Sequence, residues 1–132
     1  MSEANKELSR RFTELFGTDD ATLADQVFGE DVVFHGTSGD GELHGIDAVK
    51  AFLAGYRQAF PDAHSTVEDQ IAEGDKVVTR WRAHGVGRPD SDFAMDGITI
   101  ERIADGRIVE IWVARDELGL TRDLGEARVT AG

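Results

Sequence analysis

The sequence contains no cysteine. That excludes disulfides, thiolate nucleophiles and cysteine-held zinc or iron–sulfur sites, and it suits a reducing compartment, so a cytoplasmic protein is expected. Basic residues are scarce: 14 Lys and Arg stand against 26 Asp and Glu, a formal net charge of −12. An acidic surface repels phosphate backbones and anionic membranes. Neither a nucleic acid nor a membrane is therefore expected as a partner. Solubility, or a high-salt or high-GC host, accounts for the acidity, with a cationic partner as the alternative. No apolar run approaches the roughly 20 residues of a membrane span, and MSEANKELSRRF lacks the apolar stretch of a secretory signal. No repeat of 20–50 residues recurs, and no Pro- or Ser-rich linker divides the chain.

What is present is the material of a core. Of 132 residues, 40% are hydrophobic, including seven Phe and two Trp. One domain over residues 1–125 is expected, with a loose tail over 126–132. Leu8, Phe12, Leu15 and Phe16 fall at helical spacing, so residues 3–16 predict an amphipathic helix, capped by Ser2 and ended by Gly17. Asp19 or Asp20 opens a second short helix carrying Leu23, Ala24, Val27 and Phe28. A short strand follows over 31–35, then the Gly-rich loop or hairpin TSGDGELHG. Val49, Phe52, Leu53, Tyr56 and Phe60 make the stripe of a third helix, about 46–60, stopped by Pro61. Strands are predicted over 63–73, 77–86, 93–104 and 108–115, the last two joined by an Asp-Gly hairpin turn. A short helix over about 117–124 closes the chain. Helices followed by a meander of long strands imply an α+β domain whose curled antiparallel sheet leaves a concave face, a natural pocket.

The succession NKELSRRF, EDVVFHG, GELHG, FPDAHSTVEDQIAEGDKVVTRW, ERIADGRIVEIW and DELGLTRDLG resembles the SnoaL-like polyketide cyclases, or ester cyclases, of the NTF2-like superfamily, over about residues 5–125. The resemblance implies a cone-shaped curved antiparallel sheet with three N-terminal helices enclosing a hydrophobic pocket. It implies cofactor-free, metal-free proton transfer, an aldol-type cyclisation or isomerisation of a hydrophobic carbonyl or polyketide-like substrate, and a homodimer paired through the sheet. The family's acid/base falls on Asp116. The sequence departs from the family at Gly36, Ile111 and Val113, where polar groups are common.

The candidate groups each have two readings. Asp116 is either a base, its pKa raised by an apolar cavity, or the cap of the closing helix. His35 is a proton shuttle or a half-buried histidine bonded to backbone. His44 is a pocket-mouth residue or a structural loop residue. In VVTRWRAHG, period two puts Val77, Thr79, Trp81 and Ala83 on a core face and Val78, Arg80, Arg82 and His84 on the other. Arg80 then stabilises an enolate oxygen or makes a surface or interface salt bridge. Parity also separates Asp116 from Val109, Ile111 and Val113. The expected pocket wall is Trp81, Ile98, Ile100 and Trp112, with His44, Phe52 and Tyr56. His35, His44, His64 and His84 lack metal-ligand spacing, so no metal is expected, and no phosphate loop or nucleophile elbow is present.

Three functions follow: a cyclase or isomerase, an epoxide hydrolase using Arg80, Asp116 and Asp96 or Glu101, and a non-catalytic protein binding a lipophilic small molecule. The aliphatic Ile111 and Val113 favour the third.

Overall fold

The computed structural model describes residues 2–17, 21–36, 41–86 and 92–116. The N-terminal stripe forms helix α1 (Ser2–Glu14), followed by a 3-10 turn, Leu15–Gly17. Helix α2 (Ala21–Val27) is shorter than the spacing predicts, because Phe28 opens strand β1 (Phe28–His35) instead of ending the helix. The hairpin strand β2 (Glu42–His44) leads to α3 (Ile46–Ala59). Then come β3 (His64–Glu73), β4 (Lys76–Val86), β5 (Asp92–Ala104) and β6 (Arg107–Arg115). The expected closing helix, 117–124, and the tail, 126–132, lie outside the described residues.

The six strands form one curved sheet in the order β2-β1-β6-β5-β4-β3. All neighbours run antiparallel except β1 and β6, which are parallel. This one pair corrects the wholly antiparallel expectation: the helical crossover and the meander return β6 alongside β1 in the same direction. At the β5–β6 turn Asp105 and Gly106 both take positive φ, 53° and 74°. A two-residue hairpin of this twist demands that conformation, and Asp-Gly adopts it with little strain.

The helices cover one face of the sheet. Phe12, Leu15, Val27, Phe28, Val32, Phe34, Val49, Leu53, Ile108 and Ile111 form its core. Ile103 pairs with Ile108 but Arg102 with Glu110, so Val109 is an extra residue in β6. The bulge lets Ile108 and Ile111, three apart, both point inward.

The inner face of β4 is the expected one: Val77, Thr79 and Ala83 are buried. On β5 the inner row is Met95, Gly97, Thr99, Glu101 and Ile103. Three polar side chains are fully buried between α1 and the sheet: Ser9, Thr79 and Glu101.

Candidate functional site

Between α1, α3 and the inner sheet face lies a narrow cavity lined by Phe12, Thr13, Phe16, Phe34, Tyr56, Ser65, Trp81, Met95, Thr99, Val113 and Arg115. About 20 Å³ of it is open to the centres of water-sized molecules, roughly the room of one water. Aromatic rings close it down. Phe16 stands edge-on to Phe12 at 5.4 Å and to Tyr56 at 5.1 Å between centroids. A ring-sized ligand enters only if these side chains move.

The wall is mostly apolar, with a few polar groups. Trp81 Nε1 donates to Thr99 Oγ1 at 2.6 Å, which fixes the indole across Gly97. Burial pushes the Tyr56 phenol above its ordinary pKa, and the Arg115 cation acts in the opposite direction. At neutral pH, Tyr56 is a neutral hydrogen-bond donor and Arg115 a cation, the two ionisable side chains among the lining residues. Together they suit an oxygen with partial negative charge.

Of the residues expected at the site, Trp81 and Tyr56 line this cavity. Phe52 stands behind Phe34, 5.2 Å ring to ring, and backs the wall instead of lining it. Ile98, Ile100 and Trp112 belong to the opposite face. Ile98 is 46% exposed, and Ile100 pairs with Val78 on one side and Trp112 on the other. The expected wall of Ile98 and Ile100 is therefore corrected. Strand parity puts Thr99 and Glu101 inside, so the more apolar side of β5 here faces out.

His35 also faces out, since its neighbour Phe34 faces in. Its Nδ1 is 2.6 Å from Glu42 Oε2 and its Nε2 2.7 Å from Glu110 Oε2, while its ring stacks on Trp112 at 5.3 Å. The Glu110 hydrogen bond, followed by Glu42, raises the His35 pKa above 6.5 against a partial burial that lowers it. The same bond holds Glu110 below its ordinary value, helped by Arg102. This histidine is paired at both ring nitrogens and ties β1, β2 and β6 together, across the sheet from the cavity. His44 is exposed, 3.2 Å from Glu42.

Arg80 and Asp116 lie across the sheet as well. With Glu68, Arg82, Asp96, Gly97, Ile98, Ala114 and Arg115 they line an open groove of about 450 Å³. Asp116 follows the end of β6, is exposed, and donates its backbone N–H to the Asp96 carbonyl at 3.0 Å. The helix it was expected to cap lies outside the described residues. The fold thus brings Asp116 near Arg80 and Asp96, but in solvent rather than in the cavity. His35 joins neither group. No cluster of three or more His, Asp or Glu side chains arranged to hold a metal occurs among the described residues.

Sequence reasoning missed Phe12, Thr13, Phe16, Phe34, Ser65, Met95, Thr99, Val113 and Arg115 as lining residues. The available signal was Gly97. A glycine in mid-strand marks a close approach, and Gly97 pairs with Trp81, which makes the odd-numbered residues of β5 the inner ones.

A SnoaL-like domain matches residues 9–111. No curated protein matches the chain. Among solved structures, the chain is similar to a proposed polyketide cyclase from Bacillus cereus, at 27% identity and TM-score 0.84, covering 95% of this chain and 83% of that one. It is similar in fold to IdmH, a proposed polyketide cyclase from Streptomyces antibioticus, at 23% identity and TM-score 0.81, covering 92% and 98%. A hypothetical protein of ketosteroid isomerase-like fold from Catenulispora acidiphila, in complex with trimethylamine, shares the fold at 14% identity and TM-score 0.83, covering 92% and 94%. The match over residues 9–111, on this bent sheet capped by N-terminal helices, shows that the chain belongs to the SnoaL-like family.

Proposed function

We propose that this protein binds a hydrophobic small molecule carrying a carbonyl or phenolic oxygen in the cavity beneath α1. The lining carries the reading: Phe12, Phe16, Phe34, Trp81, Met95 and Val113 offer apolar surface, and Tyr56 and Arg115 offer two donors for one oxygen. A titration with a hydroxyanthraquinone, followed by quenching of tryptophan fluorescence, tests it. Saturable binding is expected. Tyr56→Phe should weaken it by roughly 2- to 10-fold, the net value of one hydrogen bond, and Arg115→Ala by more. Absence of saturable binding, or binding indifferent to both changes, refutes the reading.

A second reading, favoured by the same Tyr56–Arg115 pair, is cofactor-free proton transfer on such a ligand, as in a cyclase or isomerase. The two donors would stabilise the enolate left when a base removes the α-proton. Asp116 is the base proposed from the family resemblance. Its exposure in the outer groove supports binding over chemistry. Exchange of α-protons of an aromatic polyketone in D₂O separates the readings. Exchange that Asp116→Asn abolishes supports the enzyme. Exchange that survives it removes Asp116 from the mechanism. We also propose a homodimer through the outer sheet face, on the exposure of Ile71 and Ile98.

A further inference from the structure

Glu101 is fully buried on the inner face of β5, and its Oε2 has no hydrogen-bond partner among the described residues. Its other oxygen ends a directed chain. Gln70 Nε2 donates to Thr79 Oγ1 at 3.3 Å. Ser9 Oγ donates to Glu101 Oε1 at 2.5 Å, so the proton between Ser9 and Thr79, 2.6 Å apart, comes from Thr79. Each hydroxyl thus uses its single proton once. The chain crosses from β3 and β4 to α1 and back to β5, so it joins the helix to the sheet at the carboxyl.

Among the described residues, no cation offsets the Glu101 charge. On β4 it sits opposite Val77, on β6 opposite Ile111, and on β5 between Thr99 and Ile103. On α1, Arg10 is held by Glu7 and by the Gln70 amide oxygen, and Lys6 reaches the network only through its backbone carbonyl. Burial pushes the carboxyl up to about 8, with the Ser9 hydrogen bond and a backbone bond opposing. The acid therefore holds its proton at neutral pH. Ionised, it would leave a bare charge in the core, relieved only by water. Since α1 is the cover over this layer, water reaches Oε2 when α1 lifts.

We propose that Glu101 is a positioning residue for the cavity: in its protonated form it clamps α1 to the sheet through Ser9, and ionisation releases the helix. One turn beyond Ser9, α1 supplies Phe12 and Thr13 to the cavity wall, and the 3-10 turn that continues it supplies Phe16, so the clamp sets whether the cavity is closed. The consequence for ligand binding rests on the reading of the cavity given above; the clamp itself does not.

The sign follows from linkage. The docked carboxyl has a higher pKa than the free one, so its contribution is full below 4.5, is lost as pH rises, and is gone above about 8. Within that window the docking equilibrium loses up to tenfold per pH unit. Three measurements on the full chain test this. The ¹³C resonance of the Glu101 carboxyl should titrate near 8; a midpoint near 4.5 overturns the proposal. Thermal midpoint and amide protection of α1 should fall from pH 5 to 8 in wild type and stay flatter in Glu101→Gln, whose amide keeps the Ser9 acceptor without the charge. Parallel profiles in the two proteins overturn it. If Glu101→Gln does not fold, the wild-type carboxyl titration still decides. Hydroxyanthraquinone affinity should change across the same pH window in wild type and stay flatter in Glu101→Gln. No binding at any pH refutes the cavity reading while the carboxyl titration and the α1 profile continue to test the clamp.

Discussion

Replacing Gly97 by alanine places a methyl group where the Trp81 indole lies. The three atoms nearest to the new Cβ all belong to that ring, with Cε2 at 2.6 Å, well inside van der Waals contact. The ring is not free to give way. Its Nε1 is bonded to Thr99, and the space beside it has room for about one water. Gly97→Ala must therefore swing the indole into the cavity and break the Thr99 bond. Overpacking of this kind costs about 1–3 kcal/mol, and the lost hydrogen bond about 0.5–1.5 kcal/mol. The gain from a less flexible unfolded chain is about 0.4–1 kcal/mol and does not offset them. A net loss of about 2–3 kcal/mol is expected, on the order of a 10 °C fall in thermal midpoint for a domain of this size. A double-mutant cycle with Trp81→Phe isolates the cause, because phenylalanine lacks the part of the ring that collides. The double variant should be more stable than the two single losses predict, by at least about 1 kcal/mol. Additivity within about 0.5 kcal/mol, or a Gly97→Ala protein as stable as wild type, refutes the packing argument.

Other outcomes follow from the outer face. The His35 imidazole should titrate above 6.5 by NMR and move back toward that value in Glu110→Gln, because Glu110 is the largest cause of its shift. The paired corner of β1, β2 and β6 is correspondingly stabilised below pH 6.5, and the contribution fades as pH rises through the raised value. A His35 midpoint at or below 6.5 contradicts this. Ile98→Arg should convert the proposed dimer to a monomer by analytical ultracentrifugation and change stability by no more than about 0.5 kcal/mol, since the side chain is exposed. A wild-type protein that is already monomeric at tens of micromolar removes the interface.

Much of the architecture was legible because it depends on local pattern. The stripe Leu8, Phe12, Leu15, Phe16 could only be buried by a helix, and the alternation in VVTRWRAHG located the inner row of β4 without a structure. β5 misled for a physical reason. Its outward residues Ile98 and Ile100 are more hydrophobic than its inward Thr99 and Glu101. The usual inference, apolar side inward, fails where remote side chains bring hydrogen bonds to the buried polar residues, Trp81 to Thr99 and Ser9 to one oxygen of Glu101. His35 misled in the same way: a histidine beside a buried phenylalanine must face the other side of the sheet, toward Glu42 across the hairpin and toward Glu110, which is distant in sequence.

By itself, the sequence determined the order of helices and strands, the Asp-Gly hairpin and the family, because hydrophobic period and turn chemistry are carried by neighbouring residues. Tertiary structure alone decided the rest. It made β1 and β6 parallel neighbours, put Asp116 and Arg80 in an open groove, and closed the cavity over Tyr56 and Arg115. It also placed Ser9 against Glu101, 92 residues apart. The environment of a carboxyl depends on what the remote chain packs around it, and burial between a helix and a strand is what keeps Glu101 protonated.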